Sequence, residues 1–127
     1  MDTPIYKRVL LKLSGEAISN GKDGILNFDY ISEIAQTVKK CIDNGVEVAV
    51  LVGAGNIWRG RSGGDMDRVK ADHMGMLATC INALALQESF IRAGIDAGVM
   101  TSVEMKAFAK QFVRDDAIKA LSEGKVV

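Results

Sequence analysis

The stretch from Val46 to Arg61, VEVAVLVGAGNIWRGR, limits what this chain can fold into more than any other. Val46 to Val52 is a nearly continuous apolar run, interrupted only by Glu47. Such a run, closed by glycine, reads as a buried strand of a parallel sheet. It ends in Gly53-Ala54-Gly55-Asn56, and Trp58, Arg59 and Arg61 follow at once. In open α/β sheets ligands sit beyond the carboxyl ends of strands, where glycine lets backbone amides approach an anion. Arginine behind such a turn adds a permanent cation whose planar fork matches phosphate or carboxylate. The stretch therefore points to anion binding. The competing reading is a plain βα turn with a solvated Arg59, because short glycine patterns are common. No third glycine stands at the dinucleotide-binding offset, and no Gly-x-x-x-x-Gly-Lys-Ser/Thr loop occurs in the chain.

The flanking segments continue an α/β alternation. Tyr6–Leu13 reads as a first strand, with Lys12 at its end just before Ser14-Gly15-Glu16. Asn20–Asn27 reads as a polar loop. Ile31, Ile34, Ala35, Val38, Cys41 and Ile42 then recur at helical spacing, with Asn27 or Asp29 as cap and Gly45 as stop. A βαβ unit of this kind favours a parallel sheet. After a charged, glycine-rich loop at Arg61–Lys70, a long helix is expected from about Ala71 to Ala93. Met74, Leu77, Cys80, Ile81, Leu84 and Ile91 form its main apolar face, and Met76, Ala78, Ala83, Ala85 and Leu86 widen that face to nearly all sides. A helix apolar all round must be buried, so a subunit interface is expected alongside a core contact. Met74 and Met76 are read as core. Ile95–Thr101 reads as a third strand, Glu104–Phe112 as a short helix and Asp115–Glu123 as a clearer one stopped by Gly124. Lys125-Val126-Val127 reads as the opening of a further strand.

Sixteen basic residues against sixteen acidic ones leave no charge footprint for duplex nucleic acid or an anionic membrane. A 48% hydrophobic and 25% charged composition is that of a soluble globular domain. No uninterrupted apolar segment approaches the roughly 20 residues that cross a bilayer. The N-terminus lacks the layout of a signal peptide. A cytoplasmic location is expected, with Cys41 and Cys80 buried and reduced. His73 is the single histidine and the cysteines lack metal-ligand spacing, so a zinc site is not expected.

Parallel strands end on the same edge of a sheet. Lys12 to Gly15, Gly53 to Gly60 and Asp67 to Thr79 can therefore line one crevice. Two cations, Lys12 and Arg59, and two glycine turns would surround a polyphosphate there. Phosphoryl transfer needs positioning and charge neutralisation rather than a nucleophilic side chain.

These residues resemble the bacterial UMP kinases, a branch of the amino acid kinase family. The resemblance runs from Tyr6 to Val127, through Leu11-Lys12-Leu13-Ser14-Gly15-Glu16 and the Gly55-Asn56-Ile57-Trp58-Arg59-Gly60 segment. It continues through Asp72-His73-Met74-Gly75-Met76-Leu77-Ala78-Thr79 and Asn82-Ala83-Leu84-Ala85-Leu86-Gln87. It implies a three-layer α/β/α sandwich with a mainly parallel sheet, of which this chain would be the N-terminal, UMP-side part, with the C-terminal half absent. It implies transfer of the γ-phosphoryl of ATP, with magnesium, onto UMP. Lys12 and Arg59 would be catalytic. Lys12, Leu13, Ser14, Gly15, Gly55 and Arg59 would bind ATP, while the Ala54 backbone and Asp72 would bind UMP. A carboxylate at Asp72 would accept hydrogen bonds from ribose hydroxyls; read without the resemblance, it is an acid facing a helix dipole. The resemblance also implies GTP and UTP as effectors and a hexamer built from dimers. The family has three successive glycines where this chain has Gly53-Ala54-Gly55, and alanine fits there only if its φ is negative. Two rival readings are a kinase of the same fold acting on a carboxylate and a non-catalytic, dimerising phosphate-binding module.

Overall fold

The computed structural model describes residues 3–20, 24–58 and 64–127. Strand β1 (Arg8–Leu13) leads into a short helix α1 (Gly15–Ser19), and helix α2 (Phe28–Asp43) leads into strand β2 (Glu47–Val52). A long helix α3 (Arg68–Arg92) follows, then strands β3 (Met100–Thr101) and β4 (Lys110–Gln111) and helix α4 (Arg114–Ser122).

β1 and β2 pair in parallel from Arg8 opposite Glu47 to Leu13 opposite Val52, so both run out at the same edge. β3 and β4 are also parallel. Between these pairs, Ala97 bridges Val126 in parallel, and the Val50 N–H donates to the Val127 carbonyl at 2.7 Å. The spatial order is therefore β1, β2, residues 126–127, residues 97–101, β4. The strand expected to open at Lys125 is present as a single parallel bridge at Val126, between β2 and residue 97.

α2 forms where its apolar stripe was expected. Asn27 rather than Asp29 caps it, accepting from the Tyr30 N–H at 3.1 Å, and Gly45 ends it at φ +83. Ile31, Ala35 and Val38 turn inward against Val48 and Val52 of β2 and Leu86 and Phe90 of α3. α4 contacts β2 without joining that cluster, and its Ala117 and Leu121 approach the sheet from the side of Leu10 and Leu51.

Three expectations are corrected. Glu104–Phe112 is not a helix: residues 106–108 form a turn, and Lys110–Gln111 is a strand held on β3 by Lys110 N–H to Val99 O and Phe112 N–H to Thr101 O. Pairing with a neighbouring strand outweighs local helical spacing. The core face of α3 is not the expected one either. Ala71, Ala78, Asn82, Leu86 and Phe90 are buried, while Leu77 is 55% and Ile81 48% exposed. Met74 and Met76, read as core, are exposed as well. Small side chains win the inner face because α3 lies close against the glycine turn after β2. Helix α1, over which no element was expected, is capped by Ser14, which accepts from the Ala17 N–H at 3.1 Å. By length and composition alone α3 could cross a bilayer. Its buried stripe packs on α2 and β2 instead, and Asn82 at its centre bonds to loop backbone. Burial also pushes the Cys80 thiol on this helix above its ordinary range, which keeps it protonated.

Candidate functional site

The common edge of β1 and β2 brings two turns together. The Gly53 N–H donates to the Leu13 carbonyl at 2.9 Å, extending the ladder one step past both strands. Gly15, buried at the start of α1, then lies directly against the second turn. A Cβ on Gly15 would fall 2.5 Å from the Gly55 nitrogen, 2.8 Å from the Ala54 carbonyl carbon and 2.4 Å from Asn56 Oδ1. The two turns touch backbone to backbone, and only glycine permits it.

Asn56 and Asn82 hold that contact from behind. The Asn82 amide donates to the Gly53 carbonyl at 2.8 Å and to Asn56 Oδ1 at 2.7 Å. Asn56 donates back to Asn82 Oδ1 at 3.1 Å and to the Ile25 carbonyl at 2.6 Å. Asn82 is fully buried, yet its amide is satisfied. A second staple is Trp58, whose indole N–H donates to the Ala71 carbonyl at 2.8 Å. The loop is thereby fixed to the first turns of α3, next to Asp72. Trp58 is a strut in this arrangement, whatever else its face meets.

The expected site residues divide as follows. Lys12, Leu13, Ser14, Gly15, Ala54 and Gly55 are brought together. Lys12 is exposed at the end of β1 and has no carboxylate partner among the described residues, so its charge is available to a ligand. Leu13 gives its side chain to the core and its carbonyl to Gly53. The Ser14 oxygen serves as a helix cap. Ala54 is sterically at ease, since among the described residues Asn20 alone combines a side chain with positive φ. Asp72 is exposed on α3 and paired with Arg68 at 3.3 Å, the arrangement of an ordinary helix-surface acid. Arg59, with Gly60 and Arg61, lies outside the described residues. Among those described, no cluster of three or more His, Cys, Asp or Glu residues could hold a metal ion.

Neither asparagine was singled out as a structural pair from sequence. The signal was there in part: an amide in the middle of an apolar helix must find partners. Its partner, 26 positions away, could not be read from spacing.

Parallel strands ending at one edge in two interlocked glycine turns, with a lysine at the rim, define an open-edged α/β domain. The chain belongs to the amino acid kinase family, whose model matches residues 7–127. It is similar to UMP kinase from Bacillus anthracis, with 37% identity and a TM-score of 0.89 over 96% of this chain and 51% of that one. Similarity to UMP kinase from Ureaplasma parvum is 29% identity and a TM-score of 0.88, over 98% of this chain and 53% of that one. Aspartate kinase from Synechocystis shares the fold, with a TM-score of 0.63 at 16% identity over 94% of this chain and 21% of that one. The architecture is accordingly the three-layer α/β/α sandwich of this family. The chain spans about half the length of the two UMP kinases it matches.

Proposed function

We propose that this chain forms the N-terminal, UMP-side part of a cytoplasmic kinase that moves the γ-phosphoryl of ATP onto UMP, giving UDP and ADP. The observation that carries this reading is the backbone contact of Gly15 with Ala54 and Gly55 beside Lys12, which has no carboxylate partner among the described residues. A phosphate oxygen of UMP attacks the γ-phosphorus, and the bond to the β–γ bridging oxygen breaks. The nucleophile is already anionic, so no general base is required. Lys12 neutralises charge on the transferring group, and the N–H groups of the two turns orient the phosphates. Arg59 adds a second cation on the ATP side. Asp72 leaves Arg68 to accept hydrogen bonds from the UMP ribose. Magnesium, when bound with ATP, would neutralise phosphate charge and would be held mainly by the nucleotide, since the described residues offer no acidic cluster for it.

The test is ADP release from MgATP with UMP, CMP, carbamate or no acceptor, on protein of verified intact mass. Turnover with UMP alone is expected of protein that carries both halves of the kinase, where Lys12→Ala is expected to lower kcat by about a hundredfold or more, while the 127-residue chain by itself is expected to be inactive. Turnover with carbamate in place of UMP would refute the acceptor assignment. Saturable ATP binding without turnover would favour a non-catalytic binding module, a reading supported by the half-length match to the relatives.

The partners proposed with this function are GTP and UTP as effectors and further copies of the chain, in a hexamer built from dimers. The exposed face of α3 supports the oligomer, since Leu77 and Ile81 leave an apolar stripe uncovered in one chain. Sedimentation of the Leu77→Asp, Ile81→Asp double variant is expected to show monomer where the parent protein shows dimer or larger. An unchanged mass for the variant would remove α3 from the interface.

A further inference from the structure

Successive peptide groups in the turn after β2 are held in different ways. The Gly53 N–H donates to the Leu13 carbonyl at 2.9 Å, which fixes the peptide entering the turn on the β ladder. The Ala54 carbonyl accepts from the Ile57 and Trp58 N–H groups at 2.9 and 3.0 Å, which fixes the peptide leaving Ala54. Between them lies the Gly53-Ala54 peptide. Among the described residues, its carbonyl accepts from the Asn82 side chain alone, at 2.8 Å, and its N–H has no acceptor. A single buried amide therefore sets the plane of this peptide.

The peptide is planar and trans, so its C=O and N–H point in opposite directions. Asn82 is fully buried, and by drawing the carbonyl inward it turns the Ala54 N–H outward. The asparagine cannot turn its own amide over. Its Nδ2 meets the Gly53 carbonyl, and its Oδ1 accepts from Asn56 Nδ2, which in turn meets the Ile25 carbonyl at 2.6 Å. Carbonyls only accept, so those at the two ends of the chain fix both amides. Reversing the Gly53-Ala54 peptide requires rotation about ψ of Gly53 and φ of Ala54. Glycine offers little resistance. Alanine resists, because its φ, which is not positive, would become so.

We propose that Asn82 is a positioning residue for the phosphate of UMP, and that the Ala54 side chain shares the task. Together they hold the Gly53-Ala54 peptide with its N–H outward, where it donates to that phosphate. Reversed, the same peptide would present a carbonyl oxygen to an anion and repel it. Asn82 does this from the buried side of the turn, through the Gly53 carbonyl. Apparent affinity for UMP then follows the fraction of molecules whose Ala54 N–H faces out. Asn82 and Ala54 act on one equilibrium, so each masks the loss of the other. This inference rests on the proposed role of the Ala54 backbone in holding UMP.

The experiment is UMP-saturation kinetics on protein that carries both halves of the kinase, for the parent, Asn82→Leu, Ala54→Gly and the double variant. Leucine gives the Gly53 carbonyl no donor, and glycine at position 54 removes the bar to positive φ. Asn82→Leu is expected to raise KM for UMP by about tenfold, the worth of one hydrogen bond to a charged group, with the loss in KM rather than kcat. The double variant is expected to exceed the product of the two single effects. A merely structural role gives the reverse pattern, because fewer folded molecules lower kcat and leave KM alone. That pattern, or strictly multiplicative effects, would overturn the proposal. Amide hydrogen exchange at Ala54 in the parent protein needs no variant to fold. With UMP about tenfold above its Kd, exchange there is expected to slow by about tenfold. Exchange already slow without UMP, or unmoved by it, would overturn the proposal as well. A parent protein that does not turn UMP over would sink the proposed function and this inference with it. Turnover by the parent with a change of kcat alone in the variants would sink this inference only.

Discussion

Gly15→Ala is expected to destabilise the fold by about 3 kcal/mol, at the upper end of what overpacking usually costs. Two effects oppose each other at this position. Alanine is the better helix former by up to about 1 kcal/mol, and Gly15 opens α1. Against that, the new methyl would lie 2.5 Å from the Gly55 nitrogen and 2.4 Å from Asn56 Oδ1. Asn56 cannot swing aside without breaking its bonds to Asn82 and Ile25, so the turn itself must move. Sterics win. The loss should appear as a fall in Tm of roughly 10 °C for a domain of this size. If the proposed phosphate site is right, ATP affinity should drop with it, because the displaced backbone belongs to that site. Gly53→Ala is the matched control. Its methyl would meet nothing closer than 3.5 Å, and its φ is not positive, so a change under about 1 kcal/mol is expected. If Gly15→Ala unfolds at the parent temperature, the two turns are not in the contact described.

How much of this was legible beforehand depended on the range of the interaction. β1, α2 and β2 follow from local signals: apolar runs, a stripe at helical spacing, Asn27 as cap and Gly45 as stop. The meeting of Lys12 and Gly15 with Ala54 and Gly55 followed too, because parallel strands necessarily end on one edge. Hydrophobicity could not tell which side of α3 faces the core. Leu77 and Ile81 are as apolar as Leu86 and Phe90, and only the neighbouring turn decides in favour of Ala78 and Asn82. The segment around Lys110 misled for a similar reason. Met105, Phe108 and Phe112 have helix-like spacing, but the hydrogen bonds that Lys110 and Phe112 make to Val99 and Thr101 set a strand.

Asn82→Leu is expected to cost about 3 kcal/mol although leucine suits an apolar helix better than asparagine does. The substitution leaves the Gly53 carbonyl and the Asn56 Oδ1 without the donors that reach them at 2.8 and 2.7 Å. Each buried group left unsatisfied costs about 1–3 kcal/mol. Gain from the larger apolar side chain is limited, because the site is already full: Asn82 has no exposed surface. Asn82→Asp separates hydrogen bonding from size, since the shape is kept while the donor is lost. Its carboxylate would still accept from Asn56 Nδ2 but would face two acceptor oxygens in a buried place. Burial and those oxygens favour the protonated acid, so the folded-state pKa rises above the unfolded value of about 3.9. A group shifted upward adds stability below the unfolded pKa and loses it as pH climbs through the folded one. The stability gap between N82D and the parent protein is therefore expected to widen from pH 4 to pH 7, whereas the gap for N82L stays flat. Urea unfolding followed by Trp58 fluorescence measures both. A pH-independent gap for N82D would mean that the Asn82 amide does not face the Gly53 carbonyl, and the brace behind the two glycine turns would have to be sought elsewhere.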